Sequence, residues 1–362
     1  MSLFSRSAKY AIALGVVVLL AACQTNQSPP APAPLMQPPV ATHVFTLHDD
    51  SDGVVGRLQV TRAHEEDTLS DIARRFNIGY EEIVRANPTV DPWLPHEGML
   101  VILPTQFVLP DAPHNGVVIN LAALRLFYFP PRKKGEPQTV ITHPIGIGQI
   151  GWSTPVGNTK IIRKRANPVW NPPASVRREH AEDGEILPAK IGPGPDNPLG
   201  KYAFTLDWPS YLIHGTNQPY GVGLRASHGC IRLYPEDIAQ LFGMIPVGTK
   251  VTVVNQPQVY GYRGATLYMQ SYPVLDDYAK KPAKGKAKGN AARAKSISSI
   301  ALKMSGDKRV SIDQTLVAEL TKNPNGIAIP ISQAETTVEK VVAAAPRVEN
   351  RVPDNATWDG VE

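Results

Sequence analysis

The sequence of 362 residues predicts a mainly β fold, in which a sandwich-like β domain follows a small βααβ module. The β domain is indicated by many short apolar runs between residues 115 and 256, separated by segments rich in Gly and Pro. The module is indicated by two helical patterns between two strand patterns within residues 58–106. Many short strands with one main helix are typical of a sandwich.

The chain starts with a segment typical of export. Arg6 and Lys9 precede an apolar run over residues 10–22, which is too short for a transmembrane helix of roughly 20 residues. The run has the size of a signal-peptide core. It ends in Leu-Ala-Ala-Cys at Cys23, which resembles the lipobox of bacterial lipoproteins and implies a signal peptide over residues 1–22. An ordinary secretory signal is the alternative.

The lipobox resemblance implies that Cys23 carries lipid and anchors the protein to a membrane. Gln24, which stands where inner-membrane lipoproteins have Asp, implies sorting to the outer membrane of a Gram-negative bacterium. We therefore expect a periplasmic, lipid-anchored protein. Residues 24–42 are rich in Pro, Ala and Ser, so we expect residues 23–57 to form a lipidated, extended spacer.

The βααβ module begins with the alternating segment LQVTRA and ends with GMLVILP, both of which predict strands. Between them, Leu69 and Ile72 belong to a helical pattern that Asp67 or Thr68 can cap, and a second short helix stops at Asn87-Pro88. This order resembles a LysM module, which implies binding to glycan that contains N-acetylglucosamine. A structural unit without sugar binding is the alternative.

The predicted strands of residues 115–256 include two strands around a turn in GVVINLAALRLFYF, further strands in QTVITHPIGIG and NTKIIRKRANP, the alternating segment YLIH, and TKVTVV. The chief helix is expected from Pro235 to about Phe242, with Gly243 as its stop. Residues 257–340 are expected to form a small C-terminal region that contains a basic low-complexity linker at 280–295. Residues 341–362 are expected to be disordered.

The stretch SHGCIRL contains Cys230, the second of the two cysteines, and a lone thiol in an exported protein is a candidate nucleophile. A thiol needs a base to become an efficient nucleophile, and both His214 and His228 are near enough in sequence to serve. The amides of Gly229 and Cys230 could form an oxyanion hole. Arg232 shares a face with the thiol if the segment is extended, and Arg225 lies in the preceding loop.

The pattern His214-Gly215, a loop, and then Ser227-His228-Gly229-Cys230-x-Arg232 is similar to the L,D-transpeptidase (YkuD) catalytic domain, over roughly 115–256. The resemblance implies Cys230 as nucleophile, His214 as proton donor and acceptor, and the Gly215 carbonyl as the group that orients His214. It leaves Arg232, His228, Arg225 and Ser227 as substrate-binding candidates.

The implied reaction is transfer of a peptidoglycan tetrapeptide stem through a Cys230 thioester, with release of D-Ala. The acyl acceptor would be an amine, either a lysine of an outer-membrane lipoprotein or a diaminopimelate side chain in a 3–3 cross-link. Peptidoglycan stem peptides and glycan are the implied partners, and no metal or cofactor is required. Hydrolysis of the same bond by an L,D-carboxypeptidase, or a catalytically dead peptidoglycan-binding protein, are the alternatives.

Other classes of function fit less well. One cysteine and two histidines fall short of the four ligands of a structural zinc site, and a papain-like protease places its histidine after its cysteine. A buried structural thiol would not need the surrounding motif. The net charge of +5 is modest and gives no argument for nucleic-acid binding.

Overall fold

The computed structural model describes residues 43–49, 52–279 and 310–352. In chain order, its strands are β1 (Val44–Leu47), β2 (Val54–Gly56), β3 (Gln59–Arg62), β4 (Leu100–Leu103), β5 (Gln106–Val108), β6 (Gly116–Asn120), β7 (Arg125–Phe129), β8 (Gln138–Pro144), β9 (Ile147–Gly148), β10 (Gly157–Ala166), β11 (Tyr202–Leu206), β12 (Leu212–His214), β13 (Arg225–Ser227), β14 (Ile231–Arg232), β15 (Lys250–Val254), β16 (Gln258–Arg263), β17 (Thr266–Ser271) and β18 (Ile329–Pro330).

The helices are α1 (Leu69–Arg75), α2 (Tyr80–Ala86), α3 (Ala174–Glu182), α4 (Pro235–Met244), α5 (Asp276–Ala279), α6 (Gln314–Lys322) and α7 (Val338–Ala343), with a 3-10 turn at Pro219–Gly221. The fold is therefore mainly β, as the sequence predicted. No helix within the described ranges combines the length and the apolar composition that a membrane crossing requires.

Nine strands form the main sheet, in the order β1-β8-β7-β6-β15-β10-β11-β12-β14. Most neighbours are antiparallel, but β6 pairs with β15 and β12 pairs with β14 in parallel. Strands β6 and β7 are buried along their whole length, which matches their continuous apolar sequences. The parallel pair of β12 and β14 ends the sheet and carries His214 and Arg232, two of the motif residues that the sequence singled out.

Helix α4 packs against this sheet through Ile238 and Leu241, which belong to its main core. Pro235 occupies the first turn and acidic side chains follow it, as the sequence predicted. The helix continues through Gly243, however, and ends at Met244. The reason lies in Pro246, which disfavours the helical conformation at the preceding Ile245. Gly243 is therefore not the stop that we expected.

The βααβ module consists of β3, α1, α2 and β4, in the predicted order. Thr68 caps α1 in a capping box, since its side chain accepts from the Asp71 amide and the Asp71 carboxylate accepts from the Thr68 amide. Strands β3 and β4 pair antiparallel. The apolar side chains of the two helices form a separate small core with those of the strands.

Two boundary expectations differ from the structure. Residues 43–57 were expected to belong to the spacer, but β1 pairs with β8 at the edge of the main sheet and β2 pairs with β5. Alternation within VFTL and the apolar pair Val54-Val55 supply the strand pattern that the Pro-rich neighbours obscured. The predicted signal peptide, Cys23 and residues 24–42 lie outside the described residues.

The C-terminal tail also differs from expectation, because residues 341–352 are ordered. The Val60 amide donates to the Pro346 carbonyl (3.0 Å), and the Val348 amide donates to the Val60 carbonyl (2.8 Å). This segment thus extends the small sheet of the module beside β3, and Val348 is buried in the core of the module. Residues 353–362 and the predicted basic linker at 280–295 lie outside the described residues.

The β16–β17 hairpin, β18 and α6 form a further cluster that includes Leu58, Val60 and Ala86 of the module. The predicted helix SIDQTLVAEL and the predicted strand GIAIPIS correspond to α6 and β18. The Asp313 side chain caps α6 by accepting from the Leu316 amide at 3.0 Å. The C-terminal region therefore packs against the βααβ module through a shared apolar core.

Candidate active site

The site is built on the parallel pair β12 and β14, in which Ile213 lies opposite Ile231 and His214 lies opposite Arg232. The two isoleucines point into the main core and fix both strands. Because side chains alternate along a strand, His214 and Arg232 share the other face, and Cys230 precedes Arg232 by two residues on that face. The fold thus brings together three residues that the sequence motif singled out.

His214 is almost fully buried, with 4 % of its surface exposed. Its Nδ1 lies 2.6 Å from the Gly215 carbonyl, which can only accept a hydrogen bond, so Nδ1 carries the proton. Nε2 of the neutral ring is therefore left as an acceptor. This is the contact that we expected from the family resemblance. Gly215 suits the position because an added Cβ would lie only 3.0 Å from the Ile238 side chain.

Burial, and to a smaller extent the nearby Arg232 guanidinium, lower the pKa of His214 to about 3, against the opposing effect of the hydrogen bond to Gly215. Cys230 is partly exposed, but the atoms packed around its thiol raise the pKa of that thiol. A backbone hydrogen bond at Leu212 and the Arg232 charge oppose this rise. Both directions favour a neutral thiol and a neutral imidazole, which are the forms from which general-base activation starts.

The turn that presents Cys230 is held by its own polar groups. The Ser227 hydroxyl donates to the Cys230 carbonyl at 2.5 Å and accepts from the Gly229 amide at 3.2 Å. Thr154 donates to the Gly229 carbonyl at 2.9 Å. Gly229 adopts φ +99°, where a side chain would be strained, and an added Cβ would lie 3.0 Å from the Tyr211 ring.

Two expectations change as a result. The Gly229 amide is engaged by Ser227, so it is not free to serve as the oxyanion-hole donor that we expected. Of the two amides considered, only that of Cys230 remains as a candidate oxyanion-hole donor. Ser227 is buried and its hydroxyl is used within the turn, so it shapes the nucleophile segment and does not face substrate.

The two arginines of the motif differ in their partners. Among the described residues no carboxylate forms an ion pair with Arg232, and its Nε has no hydrogen-bond partner. Arg225 instead donates to Asp277 at 2.7 Å, and the same Asp277 oxygen accepts from Ser153 at 3.0 Å. Arg232 is therefore the better candidate for a substrate carboxylate, while Arg225 is already neutralised by a residue of α5.

His228 lies in a different environment from His214. Its Nε2 lies 3.1 Å from Glu179 of α3, and Gln149 donates to the other oxygen of that carboxylate at 3.1 Å. The Trp152 ring packs edge-on against the His228 ring, and the two ring centroids are 5.1 Å apart. Burial lowers the pKa of His228, while Glu179 raises it. His228, which we expected to bind substrate, is thus already paired through this ring nitrogen with a carboxylate of the protein.

Sequence reasoning missed several neighbours of the site. Helix α3, which supplies Glu179, was not predicted, and Thr154 and Tyr211 were not singled out. Tyr211 lies close enough to Cys230 for the thiolate charge to raise its pKa, in addition to the effect of burial. Tyr211 is the first residue of the predicted strand YLIH, and this was the one signal in the sequence that could have found it. Within the described ranges no group of three or more His, Cys, Asp or Glu is arranged to hold a metal ion.

Comparison with protein families gives two matches. Residues 114–253 match the model of the L,D-transpeptidase catalytic domain, and residues 64–104 match the model of the LysM domain. The first match spans the motif from His214 to Arg232, and the second spans α1, α2 and β4.

Two curated relatives come from Escherichia coli strain K12. "Probable L,D-transpeptidase YbiS" is 45 % identical over 216 residues, which cover 59 % of this chain and 69 % of the relative. "Probable L,D-transpeptidase YcfS" is 45 % identical over 194 residues, which cover 52 % of this chain and 59 % of the relative.

Similar solved structures include L,D-transpeptidase 3 from Mycobacterium tuberculosis, with 18 % identity and a TM-score of 0.29 over 43 % of this chain and 67 % of that one. The catalytic domain of the Enterococcus faecium L,D-transpeptidase has 24 % identity and a TM-score of 0.29, over 40 % of this chain and 100 % of that one.

Proposed function

Because this chain belongs to the L,D-transpeptidase family, we propose that Cys230 is the residue that it acylates and that His214 moves the protons. The hydrogen bond from His214 Nδ1 to the Gly215 carbonyl carries this proposal, since it fixes a neutral imidazole with Nε2 free beside the Cys230 strand. The enzyme is an acyltransferase that acts on peptidoglycan.

In the first half-reaction, Nε2 of His214 takes the proton of the Cys230 thiol as sulfur attacks the carbonyl of the L,D bond between diaminopimelate and D-Ala. The carbon–sulfur bond forms and the carbonyl oxygen becomes an oxyanion, which the Cys230 amide would stabilise. The carbon–nitrogen bond then breaks, and His214 returns its proton to the amine of the leaving D-Ala. The product is a thioester on Cys230.

In the second half-reaction an acceptor amine attacks the thioester, and His214 takes a proton from that amine. The carbon–sulfur bond breaks, and the proton passes from His214 to the thiolate. Arg232, which has no carboxylate partner among the described side chains, would hold a stem-peptide carboxylate during both steps. We propose a diaminopimelate side chain or a lysine of an outer-membrane lipoprotein as the acceptor.

The remaining proposals concern location. The LysM match supports peptidoglycan as a ligand of the module. We propose that Cys23 is lipidated and that the enzyme works in the periplasm, attached to the outer membrane, because Leu-Ala-Ala-Cys ends the apolar run and Gln24 follows it. Incorporation of labelled fatty acid into the wild type and not into Cys23→Ala would support lipidation, and equal labelling would contradict it.

The central test is acylation of Cys230. Purified enzyme is incubated with a tetrapeptide stem or with a carbapenem, which acylates family members, and the intact mass is measured. We expect one adduct on the wild type and none on Cys230→Ala. An adduct of equal yield on both proteins would overturn the assignment of Cys230. Muropeptide analysis then separates lipoprotein-linked products, 3–3 dimers and free tripeptides, which report the lipoprotein, diaminopimelate and water as acceptors.

A further inference from the structure

The loop over residues 217–225 joins the His214 strand to the segment that ends in Cys230, and it lies against Arg232. An added Cβ on Gly221 would be 3.5 Å from Nη1 of Arg232, so the backbone of the loop lies next to the guanidinium. Tyr220, in the same turn, contributes electrostatically to the pKa of Arg232. The position of this loop therefore decides how Arg232 is enclosed and what it can reach.

The start of α2 in the LysM module touches this loop directly. The Tyr80 amide donates to the Val222 carbonyl at 3.4 Å, and the Glu81 amide donates to the Gly223 carbonyl at 3.2 Å. The two backbones meet at a pair of glycines. An added Cβ on Gly79 would lie 2.8 Å from the Gly223 Cα, and one on Gly223 would lie 2.2 Å from the Tyr80 nitrogen. Neither side has room for a methyl group.

The start of α2 is itself fixed to the main sheet by a buried ion pair. Both oxygens of Glu82 accept from Arg125 of β7 at 2.8 Å, and one of them also accepts from the Gly79 amide at 2.8 Å. Arg125 donates a further bond to the Asn77 carbonyl at 3.0 Å. Because both charges are buried and fully hydrogen-bonded, this contact holds the module in one orientation.

We propose that the LysM module is a positioning element of the active site: through Gly79 and the first turn of α2 it holds the loop 217–225 over Arg232. On the other side, the Ile147 amide donates to the Leu224 carbonyl at 3.0 Å, so the loop is held between the module and β9. The inference rests on the proposed function for its kinetic consequence. It predicts that the module affects the kinetics even with donor substrates that contain no glycan.

The test is Gly79→Ala in the full chain. Gly79 has φ −82°, which alanine adopts without strain, so the added methyl acts through the atoms that it meets: the Gly223 Cα at 2.8 Å first, then Glu82 Oε2 at 3.2 Å and the Pro144 Cβ at 3.3 Å. Gly98→Ala is the matched control. Gly98 lies in the same module at φ +75°, and an added Cβ there would have nothing within 4 Å. This change therefore introduces backbone strain but no steric clash.

Two measurements are made on each variant. Hydrogen exchange of the Gly221 and Val222 amides, which bond to the Gln218 and Pro219 carbonyls, reports the order of the loop without any turnover. Steady-state kinetics with a glycan-free tetrapeptide give KM and kcat. For Gly79→Ala we expect faster exchange at both amides and a KM raised by roughly threefold to tenfold, the effect of losing about one ordinary hydrogen bond, with kcat changed less.

Gly98→Ala is expected to match the wild type in both measurements. Unchanged exchange and KM in Gly79→Ala and in the larger Gly79→Val would overturn the proposal, and so would equal effects in Gly98→Ala. If the wild type fails to process the tetrapeptide, the proposed function fails, while the exchange data still decide whether the module orders the loop.

Discussion

His214 and His228 lie sixteen and two residues before Cys230, and they are held by different kinds of structure. His214 ends a strand, is almost fully buried and donates to a backbone carbonyl. The side chain of His228 is 24 % exposed and pairs with the Glu179 carboxylate. The more distant residue in sequence therefore has the more rigid setting.

The difference in partner decides the difference in chemistry. A backbone carbonyl carries no net charge and does not titrate, so it fixes the ring of His214 and stabilises the imidazolium less than a carboxylate would. Burial lowers the pKa of His228, and the Glu179 carboxylate opposes this by favouring the protonated form. A ring that must accept and return a proton within each half-reaction fits the first setting, and a ring that orients its surroundings fits the second.

The largest expected effect is on the release of D-Ala. His214→Gln removes the proton acceptor, and we expect the first half-reaction to slow by about 10²–10⁴-fold, the usual contribution of a positioned general base. His228→Gln is expected to slow it by roughly fivefold or less, because it breaks only a partly exposed ion pair. Rapid-quench measurement of D-Ala release provides the comparison, with Cys230→Ala as the background. A larger loss in His228→Gln than in His214→Gln would reverse the two roles.

The strand that ends at His214 could be predicted because it alternates between apolar and functional residues, whereas for residues 230–232 the sequence offered an extended segment only as one possibility. Ile213 and Ile231 mark the buried face, so the motif residues had to lie on the other face. Helix α3 could not be predicted in this way, since Val176 is its one buried residue and no apolar stripe marks it. Glu179 was therefore missed, although it is the ion-pair partner of His228.

Contacts between distant segments also escaped the sequence. Asp277 neutralises Arg225 from 52 residues away, and nothing in the local sequence of either residue indicates the pair. The contact between Gly79 and Gly223 is a second example. Single glycines indicate turns or close approaches, but they do not indicate which backbone approaches them. The motif was predicted, whereas the partners that tune it depended on tertiary packing.

The second prediction concerns the free energy of unfolding between pH 6.5 and pH 4.5. Unfolded His214 takes up a proton near pH 6.5, whereas in the folded protein its pKa is lowered to about 3. The unfolded state thus binds more protons in this window, and folding stability falls as pH falls, by about 1.4 kcal/mol per pH unit from this residue. Urea unfolding of His214→Gln should give a correspondingly flatter pH dependence. Parallel curves for the variant and the wild type would contradict the burial of a neutral His214.

The smallest expected effect comes from Glu179→Gln, which keeps the shape of the side chain and removes its charge. Because Glu179 raises the pKa of His228, the pKa should fall in the variant, and NMR titration of the imidazole nitrogens measures this directly. The His214 ring, whose partner is the Gly215 carbonyl, should keep its nitrogen shifts and serves as the internal control. The free-energy cost should be about 0.2–1 kcal/mol, as for other partly exposed ion pairs. A shift at His214 as large as the one at His228 would mean that the two histidines are coupled and do not have the separate settings described above.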